Sequence, residues 1–392
     1  MTKLLRDPQL DQLVEELNRN ERPALRPVEN EAAPPATAPA GSALEGILLE
    51  MTQRSASDLL LVAGMPPVLR LGGRLVPSDA EALSAEDVRM LLAPYTSGRL
   101  RDRIDSEGSA DFSLRAGGMR FRVNVHKQRG TIAAAVRALP MAIPTLHHLE
   151  LPTSLAELVK PSRGLVLICG PTGSGKTTTL ASLVNEINRA EARHIVTIED
   201  PIEYEHRNQS SIIEQVEVGR DAPSFASALR SALRQDPDVI LVGEMRDLET
   251  VSTALTAAET GHLILATLHT SDAVQAIHRI VDVFPPQQQM QIRHQLALSL
   301  NAIVCQHLIP RSDGNGRAAA VEVLLANHAV RNHIRNEKLQ NLVTEITLGK
   351  RQGMISLEES LASLVRRGAI THEEARIRAP RPDELESVLR RY

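Results

Sequence analysis

The sequence predicts an α/β protein in which a small α+β domain precedes a larger domain built on a mostly parallel sheet. In the second half, short apolar runs alternate with amphipathic helical segments, which is typical of a parallel sheet covered by helices on both faces. In the first half, strands of alternating polarity surround the pairs Gly72-Gly73 and Gly117-Gly118, as in antiparallel hairpins. A glycine-rich segment between an apolar run and a helical pattern then indicates what the larger domain binds.

Composition limits the classes of protein to which the chain can belong. Its 392 residues are enough for two or three domains, and 42% apolar with 23% charged residues is ordinary for a globular protein. The formal net charge of −4 indicates no general attraction to nucleic acid or anionic lipid, so we expect no nucleic acid partner.

Two further features indicate the compartment. No signal pattern opens the chain and no apolar run approaches ~18 residues, which favours a cytoplasmic protein without direct membrane insertion. Cys169 and Cys305 both lie within apolar runs, far apart in sequence, and are expected to be buried thiols in a reducing compartment.

Residues 1–45 differ from the rest of the chain in composition. After a short amphipathic stretch they become rich in proline and alanine, so they cannot bury enough apolar surface to offset chain entropy. We expect this extension to be disordered.

Residues 46–138 contain the predicted α+β domain. The helical pattern of ALEGILLEMTQ is followed by strands in SDLLLVAG and PPVLRLGGRLVP and by a capped helix from Ser84 to Tyr95. Three more strands follow in ADFSLRAGGMRFRVNVHKQRGTIAAAVRAL. Residues 139–160 contain three prolines and are expected to be the linker to the next domain.

Residues 161–392 contain the predicted parallel-sheet domain. Its strands are LVLIC, HIVTIED, VILVGE and LILATL, and helical periods lie between and after them. We expect a long helix from about Gln287 to Val304, then a strand pair around the turn SDGNG and further helices to Tyr392. Ligands of such sheets bind beyond the carboxyl ends of the strands, where the polar motifs of this domain fall.

The segment GPTGSGKT matches the phosphate-binding pattern GxxxxGK[ST] in full. It has the required context, because an apolar run precedes it and the helical pattern TTTLASLVNEI follows it. Its backbone N–H groups can surround a phosphate, while Lys176 reaches the β- and γ-phosphates and Thr177 holds Mg²⁺. The expected nucleotide-binding residues are Gly170, Pro171, Thr172, Gly173, Ser174, Gly175, Lys176, Thr177 and Thr178.

Hydrolysis of a bound nucleotide also requires an acidic residue that organises the metal ion. In DPDVILVGEMRD, Glu244 follows an apolar strand and can hold Mg²⁺ directly or through water; the alternative is a strand end in solvent. In IEDPIEYEH, several carboxylates share one turn and would repel each other unless they faced a cation. A solvated acidic turn is the alternative for that second segment.

Two histidines flank the apolar strand in TGHLILATLHTSDA. His269 would emerge near the phosphates if its strand lies beside the strand of the glycine-rich loop, and it could then sense the γ-phosphate or orient water. His262 precedes the strand and is given a structural or signalling role. A structural role is the alternative for His269 as well.

Arginine is the usual partner of the charge on a transferred phosphoryl group, and the candidates lie in the first domain. Arg120, Arg122 and Arg137 belong to its last strands. They could reach a nucleotide by domain closure or from a neighbouring subunit. The alternative is a basic, solvated strand face.

The ordered set GPTGSGKTTTLASLV, IVTIEDPIEYEH, LRQDPDVILVGEMRDLET and TGHLILATLHTSDA resembles the Walker A motif, aspartate box, Walker B motif and histidine box of the secretion-superfamily ATPases of type II secretion and type IV pili. SDLLLVAGMPPVLRLGGRL and RFRVNVHKQRGT resemble the N-terminal domain of that family. The resemblance covers about residues 46–380 and implies a RecA-like P-loop NTPase domain behind a PAS-like α+β domain.

The resemblance also implies roles for residues that match the family motifs. It implies ATP as the nucleotide, Glu203 as the water-activating glutamate and Glu244 as the Walker B carboxylate. His262 and His269 are the pair of the histidine box, and both are expected at the nucleotide. The candidates for inter-subunit arginines are Arg120, Arg122 and Arg137.

Within the family, AVRNHIRNEKLQNL and GMISLEESLASLVRRGAITHEEA are similar to the pilus-retraction branch. Two isolated cysteines cannot build the four-cysteine zinc insertion typical of the assembly and secretion ATPases. Two positions depart from the family pattern. Leu60 stands where a histidine is frequent, and AVRNHIRN differs from the usual AIRNLIRE.

The function implied by the resemblance is a homo-hexameric, ATP-hydrolysing motor of type IV pilus retraction. Such a motor is peripheral to the inner membrane, and its expected partners are an inner-membrane platform protein and an accessory ATPase of the same family. Two alternatives stay open. One is a related motor of pilus assembly, type II secretion or accessory retraction, and the other is a nucleotide-binding regulatory subunit with little turnover.

Overall fold

The structure is a computed structural model that describes residues 36–37, 42–96 and 98–391. It contains two seven-stranded sheets, one in each of the two parts that the sequence patterns indicate. Of the extension expected to be disordered, residues 1–35 and 38–41 lie outside the described residues. Residues 36–37 form a short strand, and the first helix begins at Ala43.

The first sheet is antiparallel except where its short first strand pairs. Its elements are β1 (Ala36–Thr37), α1 (Ala43–Gln53), β2 (Asp58–Leu61), β3 (Val68–Leu71), β4 (Arg74–Pro77), α2 (Ala85–Leu92), α3 (Arg99–Glu107), β5 (Ser109–Ala116), β6 (Met119–Gln128) and β7 (Thr131–Leu139). The strand order is β1-β5-β6-β7-β2-β3-β4. Phe121, Val123 and Val125 of β6 are buried with residues of α1 and α2, while alternate residues face the other side.

The second sheet is parallel apart from one edge strand. Its strands and the helices between them are β8 (Gly164–Cys169), α4 (Lys176–Ala190), β9 (His194–Glu199), β10 (Ile212–Glu217), α5 (Phe225–Ala232), β11 (Val239–Val242), α6 (Leu248–Glu259), β12 (Leu263–Leu268), α7 (Ala273–Asp282), α8 (Pro286–Ser299), β13 (Leu300–Pro310) and β14 (Arg317–Leu325). The order is β10-β9-β11-β12-β8-β13-β14, with β14 antiparallel to β13. Every residue of β8, β11 and β12 is buried, which explains their unbroken apolar sequences.

One expectation about this domain is wrong. The helix expected from about Gln287 to Val304 ends at Ser299, and residues 300–304 begin strand β13. An apolar run that is buried on both sides gives no periodicity that separates a strand from a helix, so the boundary was not visible in the sequence. Strand β10 of this domain and helix α3 of the first domain are elements that the sequence patterns did not predict; among the described side chains of α3, only Ile104 is buried.

The remaining helices follow the second sheet. They are α9 (His328–Arg335), α10 (Leu342–Leu348), α11 (Leu357–Arg366), α12 (His372–Arg378) and α13 (Pro382–Arg390). Helices α11 to α13 share a core with the outer ends of β13 and β14, so they are packed on the sheet edge. In the described ranges no helix combines the length and apolarity needed to span a bilayer.

Candidate nucleotide-binding site

The loop between β8 and α4 has the backbone of a phosphate-binding loop. Gly170, Gly173 and Gly175 have φ angles of +145°, +77° and +88°, in a region that side chains other than glycine rarely adopt. A Cβ atom at Gly170 would lie 2.4 Å from the carbonyl oxygen of Gln306, so close approach of two strands also requires glycine there. Ser174 Oγ is buried without a hydrogen-bond partner and can donate to an anion.

Gln306 of β13 supports this loop from behind. Its Nε2 atom donates to the carbonyl of Ser174 at 2.8 Å, and its Oε1 atom accepts from the Thr179 hydroxyl at 2.7 Å. All three side chains are buried. Sequence reasoning did not identify Gln306, because only the pairing of β13 with β8 brings it to the loop.

Lys176 connects the loop with the neighbouring strands. Its Nζ atom donates to the carbonyls of Gly170 and Pro171 at 2.9 and 3.0 Å and lies 3.4 Å from Nδ1 of His269. Burial lowers the pKa of Lys176, and the carboxylate of Glu244 acts in the opposite direction. The ammonium group therefore lies within the field of the acidic residue that follows β11.

Glu244 and His269 lie together at the carboxyl edge of the sheet. Oε1 of Glu244 is 3.2 Å from Nε2 of His269 and is also paired with Arg246. The two residues follow β11 and β12, which are neighbours, and β12 lies beside β8. The strand before His269 therefore lies next to the strand before the phosphate-binding loop, which is the condition for His269 to be near the phosphates. Thr267 Oγ1 donates to the Gly243 carbonyl at 2.5 Å and ties the two strand ends together.

The acidic segment between β9 and β10 reaches the start of α4. Tyr204 Oη lies 3.1 Å from the hydroxyl oxygen of Thr178. Burial raises the pKa of Glu199 to about 7, although Thr197 and the backbone of Glu203 hydrogen-bond to its carboxylate. Glu203 itself is only partly buried. The segment thus contains one acid that is uncharged below neutral pH and, four residues later, one with access to solvent.

Arg120 is occupied within its own chain. Its Nη2 atom donates to the carbonyl of Ile202 at 3.2 Å, and its Nε atom lies 3.1 Å from Oε1 of Glu205. The residue is 7% exposed. Within one chain its burial and its partners hold the guanidinium against the acidic segment, and a contact of Arg120 with a neighbouring subunit stays a prediction.

Arg122 and Arg137 face each other across β6 and β7 and remain more exposed. Nε of Arg122 donates to Asp111 at 3.3 Å, and Nε of Arg137 donates to Asp58 at 2.9 Å. Both acids belong to the first domain. The structure does not bring these two arginines into contact with the loop of the same chain.

His262 also lies away from the loop of its own chain. It precedes β12, whereas His269 follows it, so the length of a six-residue strand, roughly 20 Å, separates them. Its ring Nδ1 lies 3.2 Å from the carbonyl of Ala257, near the end of α6. Within its own chain His262 is therefore at the opposite end of β12 from the loop, and its contact with a nucleotide stays a prediction.

A cavity of about 400 Å³ opens beside the loop and the first turns of α4. Its lining includes His148, Glu150, Thr178, Gln306, Arg311 and Arg317. Nη1 of Arg317 donates to the Gly173 carbonyl at 3.2 Å, so a cation of the second domain adjoins the loop. Sequence reasoning sought arginines only in the first domain and missed this one, since the hairpin β13–β14 places it here.

Comparison with known proteins agrees with this geometry. Residues 103–378 match the family model described as type II/IV secretion system protein. The chain is 42% identical over 340 residues to the type IV pilus retraction ATPase PilT of Pseudomonas aeruginosa, covering 86% of this chain and 98% of the relative. It is 39% identical over 347 residues to the type IV pilus ATPase PilU of the same organism, covering 88% and 91%.

A solved structure extends the agreement to the fold. The crystal structure of the pilus retraction motor PilT with bound ADP superimposes with a TM-score of 0.82 at 47% identity, over 88% of this chain and 99% of that one. The predicted fold, a P-loop ATPase domain behind a smaller N-terminal domain, is confirmed. The chain therefore belongs to the type II/IV secretion system protein family and is an ATP-hydrolysing member of it.

Proposed function

We propose that this chain is an ATP-driven motor that retracts type IV pili. The connected set of Lys176, His269 and Glu244 carries the proposal, because it joins the phosphate-binding loop to the groups that hydrolysis needs. The similarity to PilT over nearly its whole length supports the direction of the motor. A regulatory subunit that bound ATP without turnover would not require the acid and the histidine.

ATP would bind with its phosphates at residues 170–178. The loop N–H groups, the unpartnered Ser174 hydroxyl and the positive end of α4 would hold the phosphates. Lys176 would exchange its two carbonyl acceptors for phosphate oxygens.

The residues at this edge also fit Mg²⁺. The Thr177 hydroxyl and the Glu244 carboxylate are hard oxygen ligands, which Mg²⁺ prefers, and the carboxylate could act directly or through water. Among the described residues no cluster of three or more His, Cys, Asp or Glu side chains could hold a metal by itself. That pattern suits Mg²⁺, which usually takes one or two protein ligands and completes its shell with phosphates and water. When bound, the ion would neutralise charge on the phosphates.

Glu203 is the proposed acceptor of the proton of the attacking water. The neighbouring Glu199 is buried, and its carboxylate already accepts hydrogen bonds from Thr197 and Gln215, so it is not available to an attacking water. Glu203 is partly exposed and follows in the same segment. His269, which contacts both Lys176 and Glu244, would sense the γ-phosphate.

The active form is proposed to be a homo-hexamer in which Arg122 and Arg137 reach the nucleotide of a neighbouring subunit. Both guanidinium groups are held by acids of their own domain and are not used by the loop of the same chain. An arginine supplied in trans can stabilise the charge that develops on the γ-phosphate. Hydrolysis would then shift one domain against its neighbour and produce displacement.

The cavity beside α4 is the proposed site of the base and ribose. It adjoins the loop, and Arg317 bridges its wall to Gly173. Its polar and charged lining residues could hydrogen-bond to a ribose and a base.

The proposed location is cytoplasmic, at the inner-membrane base of the pilus, where the motor would act on a platform protein. A PilU-like ATPase is a proposed accessory partner. The second candidate function is that of PilU itself, because the identity to PilU, 39%, is close to that to PilT, 42%.

Deletion of the gene combined with imaging of the pili tests the proposal. Retraction predicts cells with excess pili and no twitching motility, and Lys176→Ala should reproduce this phenotype. Cells without pili would indicate an assembly motor. If the purified chain hydrolyses no ATP, or if Lys176→Ala leaves its hydrolysis unchanged, the motor proposal is wrong.

A further inference from the structure

The segment from Ile202 to Glu205 contacts both the second sheet and the first domain, and Glu203 lies within it. The N–H of Ile202 donates to Oε2 of Glu217 at 3.2 Å, and its carbonyl accepts from Arg120. The Ile202 peptide is therefore bound by the second sheet through Glu217 and by the first domain through Arg120.

The other end of the segment is bound by the first domain as well. The Glu205 carboxylate pairs with Arg120 through one oxygen and with Arg115 through the other. Tyr204, between Glu203 and Glu205, is 7% exposed, and its hydroxyl contacts Thr178. The Ile202 carbonyl and the Glu205 carboxylate are thus held across the domain boundary, while Gln215 and Glu217 of β10 hold the neighbouring backbone from within the second domain.

Arg120 is the central member of this arrangement. Its side chain is almost fully buried, and burial lowers its pKa against the favourable charge of Glu205. Burial of a guanidinium costs free energy unless the group is paired. The Ile202 carbonyl and the Glu205 carboxylate provide that pairing, so the buried position of Arg120 depends on the acidic segment. Arg115 lies opposite it on β5, in register across the strand pair.

We propose that Arg120 is a positioning residue for hydrolysis, which holds the Ile202–Glu205 segment so that Glu203 faces the γ-phosphate of its own chain. Arg115 supports it through Glu205. Hydrolysis in one subunit then requires its own N-terminal domain in the docked position. The inference rests on the proposed function, since it assigns Glu203 as the proton acceptor.

Removal of Arg120 should slow turnover more than it weakens binding. Arg120→Ala is expected to lower kcat by roughly 10- to 100-fold, because a displacement of about 1 Å of a catalytic group has an effect of this size. The Kd for a fluorescent ATP analogue should stay within about threefold, since the loop residues are unchanged. Arg120→Lys keeps one charge and should restore part of kcat.

Two controls separate positioning from a general loss of structure. Lys127→Ala lies on the same strand and removes a cation that pairs with Asp105 of its own domain. It should leave kcat unchanged. The variants Arg120→Ala and Glu205→Ala should not be additive in kcat, because each disrupts the same clamp. Additive effects, or an equal loss of kcat and affinity, would overturn the proposal.

Mixed rings decide between cis and trans action. In rings that combine Arg120→Ala subunits with Lys176→Ala subunits, no single subunit has both an intact Arg120 and an intact phosphate-binding loop. An intact loop can then be served only by the Arg120 of a neighbouring subunit. Cis action predicts no recovery of ATPase activity on mixing, whereas the same experiment with Arg122→Ala should recover activity. Recovery with Arg120→Ala would overturn the proposal. Failure of the proposed function is distinguishable, because the unmodified chain would then hydrolyse no ATP, or Lys176→Ala alone would leave its hydrolysis unchanged.

Discussion

Gln306→Ala tests whether the phosphate-binding loop depends on a support from outside its own motif. The substitution removes the two hydrogen bonds that Gln306 makes and leaves the carbonyl of Ser174 and the hydroxyl of Thr179 buried without partners. Each unpaired buried group costs about 1–3 kcal/mol, so the unfolding free energy should fall by roughly 2–6 kcal/mol. The loop should also lose its fixed geometry, and nucleotide affinity should fall at least about tenfold.

The assay is urea unfolding together with titration of a fluorescent ATP analogue. Thr179→Val removes only one of the two bonds and should have an intermediate effect, while Thr179→Ser keeps the hydroxyl and should be close to unmodified. Gln289→Ala is the matched control, because Gln289 is only partly buried and donates one bond, to the Phe284 carbonyl. Folded Gln306→Ala protein with unchanged nucleotide affinity would refute the reasoning.

Four further results are expected. Glu203→Gln should keep nucleotide affinity while kcat falls by about 100-fold or more, measured by phosphate release; loss of binding would show that Glu203 does not act on water. Arg122→Ala should lower the ATPase rate of assembled rings only, so an isolated subunit as fast as the ring would contradict a trans role. Gly175→Ala should abolish nucleotide binding, since its Cβ would lie 2.8 Å from the supporting amide, whereas Gly314→Ala, also at positive φ but in open space, should bind normally. Burial raises the pKa of Glu199 from 4.5 to about 7, so the folded chain keeps a proton that the unfolded chain releases, and stability should fall as pH rises between these values. Glu199→Gln should flatten this slope in urea midpoints at pH 5 and 8, and an unchanged slope would exclude Glu199 as its source.

The local parts of the site could be predicted from the sequence because their geometry is encoded within a few residues. The glycines at 170, 173 and 175 require positive φ angles, and the loop that contains them lies between a buried strand and a helix. The same holds for His269, because parallel strands end at one edge of a sheet, and a residue after such a strand is near the loop whenever the strands are neighbours.

The supporting parts could not be predicted, because they depend on pairing between distant segments. Gln306 reaches the loop only through the register of β13 against β8, and β13 was itself expected to begin as a helix. Arg120 has the spacing of a solvated strand face, and only the packing of β6 against the acidic segment shows that it is buried. For His262, nearness in the sequence motif did not indicate nearness in space, because the whole of β12 separates it from His269.

These supports act on the nucleotide site from two directions, and this constrains how the motor can work. Gln306 fixes the loop from within the ATPase sheet, so the phosphate-binding surface does not depend on the position of the N-terminal domain. Glu203 lies in a segment that the N-terminal domain holds through Arg120 and Glu205. A movement of that domain would therefore change the rate of hydrolysis more than the affinity for ATP. A motor with this division can keep ATP bound while the position of the subunit's own N-terminal domain determines when it is hydrolysed.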